Sequence, residues 1–192
     1  MVSSSNWQPR SPSVIAAIMA TCAKFPDRPA FVYRVAKQEF TVDYAKLRED
    51  VILLARAFEE RKVTRGCRVM LLSDNRYAWI VTDLALMALG AVSVPRGGET
   101  PTQELEFILN HARCSFIVVD TDALLARQQE MLSTHKEVKT LFIIEGSQKH
   151  TLFNRLYAYN DILKDRTLSE DDFKRFDRMV AKITQKDLVT II

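Results

Sequence analysis

Glycine is scarce in this chain. Gly66, Gly90, Gly97, Gly98 and Gly146 are the only five in 192 residues. No arrangement of them gives G-x-G-x-x-G or G-x-x-x-x-G-K-[ST], the turns that wrap backbone N–H groups around phosphates. Cysteine is as sparse: Cys22, Cys67 and Cys114 are far apart and odd in number. That excludes a disulfide framework and a paired zinc spacing, and it fits a reducing, cytoplasmic setting. His111, His135 and His150 lie in separate segments with no H-E-x-x-H pattern, so metal ligands are not expected. A dominant charge sign is missing too. The 27 basic and 24 acidic residues leave a dispersed net charge of +3, which gives no footprint for nucleic acid. The start, "MVSSSNWQPRSP", has no positive region leading into an apolar core, so it is not a signal peptide. The longest apolar run, "YAWIVTDLALMAL" at 77–89, is broken by Thr82 and Asp83 and falls short of the roughly 20 residues that span a bilayer. A buried helix is expected there, and no basic amphipathic segment marks a membrane anchor.

What is present is an ordinary globular composition, 47% hydrophobic and 27% charged, in a chain long enough for one domain or one and a half. Ser11 or Ser13 can cap a helix running to about Lys24, with Val14, Ile15, Ile18 and Cys22 on one face, before "FPDRP" stops it. "AFVYRV" and "EFTV" read as two short strands of a hairpin around "AKQ". Tyr44, Leu47, Val51, Leu54 and Phe58 then recur at steps of three and four, the stripe of an amphipathic helix. Strands and helices alternate from there: "CRVMLLS", a helix over 76–89, "AVSVP", a helix over 103–112, "SFIVVD", a helix over 122–132, and "TLFIIE". Unbroken apolar strands separated by helices call for a parallel sheet covered on both faces, so the fold class is α/β. Gly90 is expected as a left-handed helix cap, and Asp74 or Ser73 as the cap opening the 76–89 helix. Residues 146–186 read as one or two surface helices of mixed charge, with "SEDDF" a helix start. Leu188 to Ile192 reads as a last strand.

Candidate chemistry is thin. In "VPRGGETPTQEL", Gly97 and Gly98 sit between a strand and a helix beside Arg96. Such a loop can present N–H groups and a guanidinium to an anion. It can equally be a connecting turn, with Thr100 capping the next helix and Pro101 at its first position. Cys67 opens a strand without a local partner to activate it and reads as a packed thiol. The carboxylates of Ser169–Asp172 read as the charged first turn of a helix, and Trp79, Leu84 and Met87 as core. No residue is named as catalytic, cofactor-binding or metal-binding.

One stretch carries a resemblance. Over 63–120 the chain supplies Gly66, Arg68, Val69, Asn75, Trp79, Gly90, Ala91, Val92, Val94 and Pro95 in order. Upstream are "FPDRPAF" at 25–31 and "DYAKL" at 43–47. This resembles the N-terminal part of the adenylate-forming superfamily, and within it the long-chain fatty acyl-CoA synthetases. Three positions depart from that pattern: Cys67 for aspartate, Ala78 for the glutamate before tryptophan, and Lys46 for the glutamate of a capping box. Asp43 still caps its helix, but Lys46 cannot return the reciprocal bond, a cost of about 0.5–1 kcal/mol.

The resemblance implies an intact enzyme that joins a fatty acid to ATP with Mg²⁺ and passes the acyl group to coenzyme A. It implies a glycine- and threonine-rich phosphate loop directly after a strand like "DLVTII", and a mobile C-terminal domain carrying a lysine. Neither is among residues 1–192, so the expectation is one α/β segment of a larger adenylation domain, cut before its first catalytic motif and inactive alone. No cofactor is expected on the isolated segment, and an uncovered sheet edge predicts that it dimerises. Two other readings stay open: a different adenylate-forming enzyme, acting on aryl or amino acids, or a non-catalytic α/β interaction domain. Peripheral membrane association is compatible with the resemblance, and acyl chain length is not readable.

Overall fold

The computed structural model describes residues 11–146, 155–164 and 167–192. Helix α1 (Val14–Lys24) starts where the Ser13 hydroxyl accepts the Ala16 N–H at 3.2 Å. Ile15, Met19 and Cys22, spaced four and three apart, form its buried stripe. Val14, expected on that face, is 58% exposed, because the stripe is set by Ile15 and runs one position to its side. Strands β1 (Pro29–Val35) and β2 (Gln38–Asp43) pair antiparallel, with Val35 opposite Gln38. Ala36 and Lys37 therefore form a two-residue turn, both at positive φ (47° and 70°), as a tight hairpin demands.

Helix α2 (Tyr44–Glu60) is capped by Asp43, which accepts the Lys46 N–H at 2.7 Å. Lys46 offers no carboxylate for a capping box. Its ammonium instead pairs with Asp50 one turn on, and the Tyr77 hydroxyl donates to the other Asp50 oxygen at 2.9 Å. Asp50 is buried, and these two donors are what allow a carboxylate there.

The expected alternation follows: β3 (Arg68–Leu72), α3 (Tyr77–Leu89), β4 (Val92–Arg96), α4 (Thr102–Ala112), β5 (Phe116–Thr121), α5 (Asp122–Thr134) and β6 (Thr140–Glu145). Where surface helices were expected there is first a short strand, β7 (Leu156–Ala158), and then α6 (Tyr159–Lys164) and α7 (Glu170–Val180). Three residues are too few to show a period, which is why β7 was not read. The rest of that expectation, over 147–154 and 165–166, lies outside the described residues. At α7 the Ser169–Asp172 capping box is complete, as the charged first turn suggested.

The sheet order is β4-β3-β5-β6-β7, all pairs parallel. Side chains alternate across it. Val69, Leu71, Phe116, Val118 and Phe142 face α1, α2, α3, α6 and α7. Met70, Leu72, Ile117, Val119 and Ile143 face α4 and α5. Gly90 ends α3 at φ 67°; a Cβ there would meet the Arg65 side chain at 2.9 Å, so glycine serves both conformation and space. The final apolar run makes one parallel bridge, Thr190 to Ser93 on the free edge of β4, with Ser93 bonded to Val189 O and Ile191 N at 2.9 Å each. It is a bridge rather than the strand expected over Leu188 to Ile192. Among the described residues no helix is long and apolar enough to cross a membrane.

Candidate crevice at the carboxyl ends of the strands

From β3 the chain steps to β4 on one side and then returns past β3 to β5 on the other. Helices α3 and α4 consequently leave on opposite faces. At such a reversal of winding the loops diverge and a crevice opens beyond the strand ends, the usual ligand position in doubly wound sheets. Here it is bordered by Ser73–Arg76 after β3, Gly97–Glu99 after β4, Asp120 and Thr121 closing β5, and Glu145 closing β6.

Arg76 ties this rim together. Its guanidinium donates to Asp120 at 2.5 Å and lies 2.9 Å from Glu145. Asp120 is buried, so the pairing satisfies a charge that desolvation would otherwise disfavour. Arg76 is also the N-cap of α3, and that cap has no side-chain hydrogen bond. The expectation that Asp74 or Ser73 caps α3 is therefore corrected. Asp74 reaches away from the helix and accepts the Gly98 N–H at 3.0 Å, while the Ser73 hydroxyl donates to Asp74 O at 2.9 Å. The chain needs two more residues to turn into α3, which puts both side chains out of capping range.

The Gly97–Gly98 loop resolves as a connecting turn. Gly98 N–H goes to a carboxylate, Gly98 C=O accepts from the Arg127 guanidinium, and Arg96 folds back on Pro95 O at 2.5 Å. None of these is presented to an anion. Thr100 does not cap α4 either; its hydroxyl donates to Gly97 O at 2.9 Å, and Pro101, not a first-turn residue, holds the N-cap place.

Two of the histidines weighed from sequence, His111 and His135, stay away from the crevice. His111 stacks on Phe107 at 5.5 Å, and His135 sits at the end of α5 with its ring 2.7 Å from Met131 O. His150 lies outside the described residues. All three cysteines are free. Burial pushes the Cys22 thiol up and the Cys114 thiol up to about 11, so neither supplies a thiolate nucleophile. Cys67 is half-buried, its sulfur 3.4 Å from the Thr64 N–H. Trp79, read as core, is half-buried and lines the rim with Asn75 and Pro95. Arg76, Asp120, Glu145 and Arg127 were not singled out from sequence. The available signal was an acidic residue ending each of two apolar strands, "SFIVVD" and "TLFIIE".

A family model described as AMP-binding enzyme matches residues 18–192. The chain belongs to the AMP-binding enzyme family. This bears out the resemblance to the N-terminal part of adenylate-forming enzymes. Among curated relatives, the chain is 27% identical over 149 residues to a long-chain-fatty-acid–[acyl-carrier-protein] ligase, AEE15, of Arabidopsis thaliana, covering 75% of this chain and 20% of the relative. A probable acyl-activating enzyme 16 of the same plant is 28% identical over 170 residues, covering 85% and 23%. The chain thus spans about a fifth of the length of these relatives. The fold is shared with solved structures. An anthranilate CoA ligase, AuaEII, superposes with TM-score 0.73 at 17% identity over 95% of this chain and 32% of that one. A coronafacic acid ligase from Pectobacterium brasiliense gives 0.70 at 14% over 79% and 29%. Among the described residues, no group of three or more His, Cys, Asp or Glu side chains is placed to hold a metal ion. No step through Mg²⁺ is assigned to them.

Proposed function

We propose that residues 1–192 are one α/β segment of the adenylation domain of a long-chain fatty acid–CoA ligase. In that reaction the fatty carboxylate attacks the α-phosphorus of ATP and releases pyrophosphate. The thiol of coenzyme A then attacks the acyl carbonyl and releases AMP. The segment's own part is to build the crevice wall: the parallel sheet fixes the strand ends, and Arg76 holds the β3, β5 and β6 termini in one rim. Nucleotide and Mg²⁺ need a phosphate loop, whose glycine-rich pattern the sequence lacks, and a carboxylate set, which the described residues do not supply; the segment acts as a scaffold, inactive alone. The observation that carries the reading is the family match over 18–192, with fatty-acid ligases among the relatives. These include a long-chain-fatty-acid–CoA ligase, FadD15, of Mycobacterium tuberculosis, 27% identical over 90 residues, or 47% of this chain and 15% of that one.

A second reading changes only the acceptor. The Arabidopsis AEE15 relative is named for an acyl-carrier-protein, and such a carrier presents a thiol as coenzyme A does. The test is ATP–pyrophosphate exchange by the longest polypeptide encoded in frame with this chain. Exchange dependent on a long-chain fatty acid, followed by thioester formation on coenzyme A, supports the first reading. Thioester formation on carrier protein alone supports the second. Exchange supported only by an aryl or amino acid overturns both.

A further inference from the structure

Gly98 is buried between β4 and α4, yet neither of its backbone groups joins a helix or a ladder. Its N–H goes to the Asp74 carboxylate across 24 residues of chain, and its C=O accepts from Arg127. Both backbone polar groups of one residue are thus held by side chains, one from the loop after β3 and one from helix α5. The fit is close: a Cβ on Gly98 would lie 3.4 Å from Asp74 Oδ1 and 3.6 Å from Leu124 Cδ2. On either side of this loop the crevice forms a recess. One is walled by Asn75, Trp79 and Pro95 and the other by Asp120, Thr121 and Arg127, and Asp74 borders both.

We propose that Asp74 is a positioning residue that seats the Gly97–Glu99 loop as the divider between these two recesses. This deepens the ligase reading, which is needed only to say what the recesses bind. Asp74 itself is exposed, so its carboxylate is not a core element. A buried N–H left without its acceptor must find water or move, and here it can move because both backbone groups of Gly98 are held by side chains. Without the carboxylate the divider shifts and the two recesses merge.

The test is amide hydrogen exchange by NMR on the 192-residue chain, comparing wild type with Asp74→Ala and Asp74→Asn. Asp74→Ala should speed Gly98 exchange by about tenfold or more while Val118 and Phe142 in the sheet keep their rates. Asp74→Asn retains a side-chain oxygen acceptor and should stay within about threefold of wild type. Unchanged Gly98 exchange in Asp74→Ala overturns the proposal. So does equal acceleration at Val118, or failure of Asp74→Asn to rescue. In the longest in-frame polypeptide, Asp74→Ala should raise KM for one substrate with kcat held, and Asp74→Asn should restore it. A fall in kcat with KM unchanged counts against a positioning role. If that polypeptide shows no exchange with any acid, the ligase reading fails, and the Gly98 measurement stands or falls without it.

Discussion

In the parallel sheet, Val69 to Leu72 and Phe116 to Asp120 are buried without interruption; in the β1–β2 hairpin no residue is buried. The parallel strands lie between two layers of helices, so their places are set by burial on both faces. The hairpin is set by other means. Its two-residue turn fixes the register, and one aromatic stack fixes its seat: Tyr33 lies parallel to Tyr77 at 6.0 Å and to Phe40 at 5.4 Å. Tyr77 is in turn tied to buried Asp50 and adjoins Arg76. The hairpin is therefore attached to the same helix start that carries the crevice rim through rings and one hydroxyl, and it touches the core only through the partly buried Ala30 and Val42.

Truncations on the two sheets should show the contrast most strongly. Phe142 is fully buried and meets Phe58 edge-to-face at 4.6 Å. Phe142→Ala should cost about 3–5 kcal/mol in urea unfolding. Phe40, 36% exposed, should cost under about 1.5 kcal/mol on the same change. Equal costs would remove the distinction. Next in size is the tie between hairpin and rim. Asp50→Ala leaves the Lys46 ammonium and the Tyr77 hydroxyl without their shared acceptor and should cost about 1–3 kcal/mol, with Tyr77→Phe milder.

How much of this was legible beforehand divides along the same line. Strands β3, β4, β5 and β6 announced themselves because two-sided burial writes continuous apolar runs. Gly90 was legible because a left-handed cap has few alternatives. The rim was not. Arg76 meets Asp120 from 44 positions away and Glu145 from further still. Asp74 looked like a local cap because serine and aspartate before a helix normally are. Whether such a side chain turns back to its own helix or across to the next loop depends on where the neighbouring strand ends, and that is a property of the sheet. The end of the chain forms a bridge rather than a strand for a related reason: β-branched residues favour a strand, but pairing here is limited to what Ser93 on the edge of β4 offers.

Smaller effects probe the turn. Ala36 and Lys37 both carry side chains at positive φ, so Ala36→Asn with Lys37→Gly should raise stability by about 0.5–1 kcal/mol. A loss instead would show that the side chains hold the turn. Smallest are the pH effects. Hydrogen bonds from the Ser169 backbone and hydroxyl, with Arg56 nearby, hold the Asp172 carboxyl below the usual 3.8. Arg65 and then Thr184 do the same for Asp187. Their stabilisation is fully present above pH 3.8 and is lost as the pH falls through the lowered folded values. Burial pushes Asp83 up from 3.8, which reverses the sign: stability falls as the pH rises from there through its raised value. Asp83→Asn should therefore raise the melting temperature at neutral pH. The pair Asp172→Asn and Asp187→Asn should flatten its fall in acid. Melting curves between about pH 2 and pH 7 read both effects.

We propose that these 192 residues supply the walls of a ligase site and no chemistry of their own. This is tested most directly by measuring fatty-acid-dependent ATP–pyrophosphate exchange side by side on the 192-residue chain and on the longest in-frame polypeptide. Exchange by the longer polypeptide and none by the shorter is the expected result. Exchange by the 192-residue chain itself, or by neither, contradicts it.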